Sequence, residues 1–181
     1  MYERAQELLA DGARLLDRDV ALLPFASSTT TAGMRTLAER ERAQLVIFGS
    51  AERTAPGHVH PGSASRRLLQ GLGCALGFAP VGFREHAPVG AVRIAVAHDD
   101  EIGTARESAL ALVESAPTGQ LVGEGGPAEL LLVGSAPSAE SGQVKVNAAR
   151  SQLIQTADTP VIVVGHGRVL RLAPTGVAAA A

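Results

Sequence analysis

Tryptophan is missing from this chain, and one tyrosine and four phenylalanines supply all its aromatic rings, 3% of 181 residues. Side chains that could stack on bases are scarce. With 16 basic residues against 18 acidic ones, a formal charge of −2, no lysine or arginine stripe is left to follow a phosphate backbone. Nucleic acid is therefore not an expected partner. Cysteine occurs once, at Cys74, so no disulfide can close within the chain. Long apolar runs are missing too, since no window approaches the roughly 18 residues of a membrane span. Met1 leads into the mixed stretch "YERAQELLADGARLL" rather than a basic region followed by an apolar core. The expectation is a soluble, cytoplasmic protein without a membrane partner, and the closing "GVAAAA" reads as part of a flexible tail over 174–181.

What is present is apolar content of 46%, enough for one ordinary core or two small ones. Its periodicity alternates. Ala5, Leu8, Leu9, Ala13, Leu15 and Leu16 recur at near-helical spacing, and the run "VALLPFA" (20–26) then reads as a strand. "SSTTTAGMRTLAERERA" opens with capping residues and predicts a second helix before the strand "QLVIF". Downstream, "SASRRLLQGL" is helical with Ser63 in a capping position, and "CALGFAPVGF" is extended up to Pro80. After the Pro/Gly connection "EHAPVGA" come the strand "VRIAVAHDD", the helix "ESALALVESA", the strand "ELLLVGS", the helix "NAARSQLIQTA" and the strand "PVIVVG". Such alternation predicts an α/β fold with mainly parallel sheets and right-handed crossovers.

A shift of 85 positions, from Gly49 to Gly134, lays "LVIFGSA" on "LLLVGSA" and "ASRRLLQ" on "ARSQLIQ" without a gap. The same shift lays "CALGFAP" on "TPVIVVG". Strand, loop, helix and strand thus recur as one unit, which predicts a tandem duplication.

The loop inside the first unit, "GSAERTAPGHVHPGS", has one Gly-Ser pair at each end. Gly49 and Gly62 permit close backbone approach, and Ser63 with the amides that follow would face an anion at a helix start. The alternative is that Gly49 makes a strand exit and Ser63 caps a helix. Both readings stay open.

These residues resemble the universal stress proteins, in which a strand ends in Gly-Ser, a second Gly-Ser closes the loop, and a helix and strand follow. Gly49, Gly62, Ser63 and Cys74 fall on that frame. The resemblance implies an ATP-binding loop of the form Gly, two residues, Gly, nine residues, Gly, then Ser or Thr. Glu52 stands where the middle glycine belongs, a charge that disfavours phosphate unless a metal or Arg53 intervenes. Gly49, Ser50, Gly62 and Ser63 become the candidate contacts for ATP or ADP, with Mg if a triphosphate binds. The resemblance also places Asp99, at the end of "AVAHDDE", where the family has an acid beside the nucleotide. The plainer reading of Asp99 and Asp100 is a helix-capping pair.

By the 85-residue shift Gly62 corresponds to Asn147, Ser63 to Ala148 and Glu52 to Pro137. Asn147 can cap a helix, but it offers phosphate no bare approach, so the second unit is not expected to bind nucleotide. Against the family, the first unit (1–85) lacks its opening strand, helix and strand. The second unit (91–173) is shortened internally, "PTGQLVGEGGPA" being too short for the helices and strand that should lie there. The expected architecture is two partial Rossmann-like repeats, which either complete one another within a sheet or dimer or survive only for assembly. Their last strands, "CALGFAP" and "PVIVVG", are expected to pair within the chain as a pseudo-dimer or between chains as a homodimer.

Other chemistry has weaker anchors. His58 and His60 lack the cysteines or third ligand of a metal site, and Arg66 and Arg67 read as a solvated helix face. No nucleophile elbow surrounds Ser50, Ser63 or Ser135, and no Gly-Lys-Ser or Gly-Lys-Thr closes a P-loop. Cys74 reads as a buried structural thiol. No catalytic or metal-binding residue is expected. The resemblance implies a non-enzymatic stress-response protein that binds ATP or ADP; the alternative is a nucleotide-independent dimerisation or scaffold protein with a vestigial loop.

Overall fold

A computed structural model of the chain describes residues 2–14, 20–51, 53–83, 91–116, 118–123 and 125–172. Glu52, most of the "EHAPVGA" connection and the tail 174–181 lie outside the described residues. The elements are α1 (Tyr2–Arg14), α2 (Thr30–Arg40), β1 (Leu45–Gly49), α3 (Ser63–Leu68), β2 (Gln70–Leu72), β3 (Ala75–Ala79), β4 (Val92–Ala97), α4 (Thr104–Ser115), β5 (Gly119–Leu121), β6 (Leu130–Gly134), β7 (Val144–Lys145), α5 (Ala148–Thr156) and β8 (Val161–Val164).

Strands dense in Val, Ile and Leu, such as "LLLVG" and "VIVV", are buried on both faces, which suits the middle of a covered parallel sheet. They build a six-stranded sheet in the order β1-β3-β8-β6-β4-β5. Every neighbouring pair is parallel except β3 and β8, where Leu76 faces Val163 and Phe78 faces Val161 in antiparallel register. That pair divides the sheet into a front half, β1 and β3, and a rear half, β8, β6, β4 and β5. The strand ends of the two halves therefore open on opposite edges of the sheet.

Alternate residues feed two cores. On one face Val46, Phe78, Val133, Val161 and Val163 pack with Leu68 of α3 and Ile154 of α5. On the other, Ile94, Leu132, Ile162 and Val164 meet Ala105, Ala109 and Leu112 of α4, whose two fully buried alanines let that helix lie close to the strands.

Residues 20–26 form no strand, and Leu22, Leu23 and Phe25 are exposed, because an apolar run becomes a strand only with a neighbour to take its backbone hydrogen bonds. Conversely, "PTGQLVGEGGPA" does contain a strand, β5, which pairs with β4 as Val92 opposite Gly119. The short antiparallel pair β2 and β7 was not legible either. Ser63 is not a cap: Gly62 holds the N-cap position of α3 with no side-chain acceptor, and Ser63 is the first helical residue. Cys74 is buried, and that burial pushes its thiol pKa up despite nearby Arg168.

Candidate functional site

The two strand-exit loops share a hydrogen-bonded frame. At the end of β1, the Ser50 hydroxyl donates to the Ala79 carbonyl (2.8 Å) and accepts from the His60 amide (3.0 Å), while the Ala51 amide donates to the His60 carbonyl. At the end of β6, Ser135 donates to Val164 O (2.6 Å) and accepts from Lys145 N (3.2 Å), and Ala136 N donates to Lys145 O. Each partner lies 85 positions after its counterpart. Gly57 and Gly142, both at φ 78°, sit at matching left-handed turns and donate to Val81 O and His166 O. The Ser50 hydroxyl is thus engaged in bracing the loop to β3.

The loops differ where they meet their helices. A Cβ added at Gly49 or Gly62 would meet no atom of the described residues within 4 Å, so among those residues the front loop is open at both glycines. Its helix start keeps Ser63 exposed, while the Ser65 hydroxyl turns back to the Gly62 carbonyl (3.0 Å). Yet β1 is an edge strand, paired on one side only, with the parallel β3. Arg66 and Arg67 are exposed on α3, and His58 is exposed on the loop. Among the described residues no group of three or more His, Cys, Asp or Glu side chains could hold a metal ion.

The rear loop is closed. A Cβ on Gly134 would lie 2.6 Å from the His98 carbonyl oxygen and 3.0 Å from the Asp100 nitrogen, so the end of β4 presses directly on the end of β6. Asn147 caps α5 by accepting from Arg150 N (3.1 Å). The buried Arg150 guanidinium then donates through Nε to Gly134 O (2.7 Å) and through Nη2 to His98 O (3.1 Å). Burial pushes its pKa down, and Asp100 offsets part of that. In a parallel sheet the crevice between strand ends that connect outward in opposite directions is the usual ligand site. Here an arginine occupies it.

Asp99 stands at the start of α4 as the capping reading described. Its Oδ1 accepts from Asp100 N (2.9 Å) and Ala105 N (2.8 Å), and its Oδ2 from Arg106 N (3.1 Å). Asp100 accepts from Thr104 N at 2.7 Å and lies 3.2 Å from His166 Nδ1. Burial pushes the Asp100 pKa up, but hydrogen bonds from Thr104 and Gly167, with His166 nearby, outweigh it and hold the pKa low. Asp99 also lines a cavity of about 410 Å³ with Val96, His98, Arg106 and Leu121, beyond the ends of β4 and β5.

Within the chain the structure does not bring Asp99 to Gly49 and Gly62. Four strand positions separate β4 from β1, about 19 Å at the usual spacing, and the antiparallel β3–β8 pair sends their carboxyl ends to opposite edges. The expected composite of front loop and rear acid therefore does not assemble inside one chain. Arg150 was not foreseen; its only sequence signal is that a long cation stands where the first unit has the small Ser65.

No family model matches the chain, and no curated protein matches it. Its fold is similar to that of solved structures. One, from Pseudomonas aeruginosa UCBPP-PA14, is provisionally named a universal stress protein; it is 12% identical, with a TM-score of 0.57 over 91% of this chain and 78% of that one. Another, the functionally unknown protein PA1789 of Pseudomonas aeruginosa PAO1, is 12% identical with a TM-score of 0.59, covering 92% and 79%. At that identity the likeness concerns architecture: a mixed α/β chain with a mostly parallel, Rossmann-like sheet. No helix among the described residues is long and apolar enough to cross a membrane.

Proposed function

We propose that the chain is a non-enzymatic, stress-response-type protein that acts by protein association and does not depend on nucleotide. One observation carries this reading: the parts of a phosphate site are separated. Of the open glycines, Gly49 ends the edge strand β1 and Gly62 caps α3, whereas the crevice between β4 and β6 holds the buried Arg150 guanidinium. A tandem origin belongs to the same reading, supported by the hydrogen bonds of Ser50 and Gly57 that recur 85 residues later. The two shortened copies then form an internal pseudo-dimer joined through β3 and β8.

The free space at both front glycines favours a second reading, in which Gly49, Ser50, Gly62 and Ser63 hold the phosphates of ATP or ADP, with Mg at a triphosphate. Calorimetric titration with MgATP and MgADP to millimolar concentration separates the two, alongside mass spectrometry of small molecules released from the purified protein by heat. The association reading expects no saturable heat and no carried nucleotide. Saturable binding that disappears in Gly62→Val would replace it with the nucleotide reading.

A further inference from the structure

Ile47 on β1 and Leu132 on β6 occupy matching positions 85 residues apart, yet Leu132 is fully buried and Ile47 is 66% exposed. The rear half shows what covers such a position. Leu132 shares its core cluster with Ala105, Ala109 and Leu112, so α4 lies across it. Leu45 still packs against the margin of that cluster, and Ile47, two residues along the same face, runs beyond it.

The chain also carries a helix without a sheet. Ala5, Leu8, Leu9 and Ala13 form an apolar stripe along α1, Leu8 is 65% exposed, and neither core cluster includes a residue of α1. Among the described residues Ile47 on the strand and Leu8 on the helix are thus exposed at the same time, while Leu45, Ala5, Leu9 and Ala13 are half-buried.

We infer that α1 of a second copy packs across β1 over Leu45 and Ile47, and that a two-fold axis returns the contact. The patch lies on the sheet face that α4 covers over β8, β6 and β4, so a helix placed there adds to the same layer on the far side of β3. The 13-residue α1, about 20 Å long, spans the roughly 16 Å of β1 in the manner of the 12-residue α4 on the rear strands. Reciprocal exchange buries the contact twice, which moves the interface toward the size of a stable dimer, about 1,200–2,000 Å² in total.

The inference deepens the association reading by naming its surface, and the test separates the two. Analytical ultracentrifugation of the full chain is expected to show a dimer in the micromolar range. Ile47→Asp and Leu8→Asp are each expected to weaken it about tenfold or more, since a buried leucine or isoleucine contributes at least that factor. Leu110→Asp, at an exposed position on α4, should leave it unchanged. Circular dichroism melting confirms that each variant folds. In a second measurement, Leu8→Cys chains are mixed with Ile47→Cys chains and oxidised; the expected product is a cross-linked species of twice the 18.5 kDa chain mass. A monomer at every concentration, a dimer indifferent to both aspartates, or a disulfide that forms only when both cysteines share one chain would overturn the proposal. Adding MgATP to the same runs isolates the broader reading: a dimer that needs nucleotide but still loses stability with Ile47→Asp overturns only nucleotide independence. A nucleotide-indifferent dimer untouched by either aspartate overturns only this surface.

Discussion

Ser50 and Ser135 stand 85 positions apart and brace their loops with matching hydrogen bonds, but the glycine before each lives in a different place. Gly49 meets none of the described residues, and Gly134 is pressed against the His98 carbonyl. The frame survives in both loops because local donors and acceptors set it: a serine hydroxyl, the carbonyl at the end of the next strand and one amide from the returning loop. Accessibility is set elsewhere, by whether another strand lies alongside. In the rear half β4 closes on β6 and Arg150 fills the remaining gap; in the front half nothing among the described residues stands in that position. A loop pattern in a sequence therefore reports the frame and says little about the room.

The largest effect expected from this contrast comes from adding one methyl group to each glycine. Gly134→Ala drives a Cβ to 2.6 Å from a backbone oxygen, which cannot swing aside as a side-chain end can. A loss of about 2–3 kcal/mol is expected, in the range of overpacked cores. Gly49→Ala meets nothing within 4 Å among the described residues and should change stability by less than about 0.5 kcal/mol. Urea denaturation of the two variants checks the pair, and equal losses would break the distinction between an open and a closed loop.

That contrast also explains which parts of the molecule were legible from residues alone. The strands "LLLVG" and "VIVV" were readable because strands covered on both faces are written as unbroken apolar runs, and "LVIFG" carries the same pattern although Ile47 on one of its faces is exposed. "VALLPFA" has the same look and forms no strand, since periodicity carries no information about whether a neighbour exists. β5 escaped notice for the opposite reason: three residues at a sheet edge, within a Gly- and Pro-rich stretch, leave little pattern to see. At the site, Asn147 as a cap and Asp99 as a helix-start acceptor were both within reach, being local rules about residues a few positions apart. Arg150 was out of reach. Its burial depends on two carbonyls, from Gly134 and His98, which only the assembled sheet brings together.

Acid should separate the halves next. Arg93 of β4 holds Glu129, just before β6, through its guanidinium and its backbone amide, and this lowers the Glu129 pKa from 4.5 to about 2. The front counterpart of Glu129 is Gln44, which cannot titrate. Because the folded-state pKa is depressed, the stabilisation is fully present above about pH 4.5 and is lost as pH falls toward about 2. Hydrogen exchange measured across that interval should show protection of Val92 to Ile94 and Leu130 to Leu132 declining before that of Val46 to Phe48. Glu129→Gln should remove the difference, and a variant with the same acid profile as the parent would sink the assignment.

The smallest expected effect lies at the helix starts and bears most directly on whether the front loop is free. Asn147 closes the first turn of α5 by accepting from the Arg150 amide, while Gly62 leaves α3 with no side-chain acceptor. Gly62 has φ −67° and ψ 171°, a conformation any residue adopts, so its glycine is not required by backbone geometry. Gly62→Asn should therefore supply the missing cap and stabilise the protein by a few tenths of a kcal/mol, roughly the difference between glycine and asparagine at an N-cap. A small rise in melting temperature would make the front helix start resemble the rear one in capping while leaving the strand exit open. A fall would mean that the space beside Gly62 is already taken in solution, by a ligand or a second copy, and the contrast between an open front loop and a filled rear one would then fail.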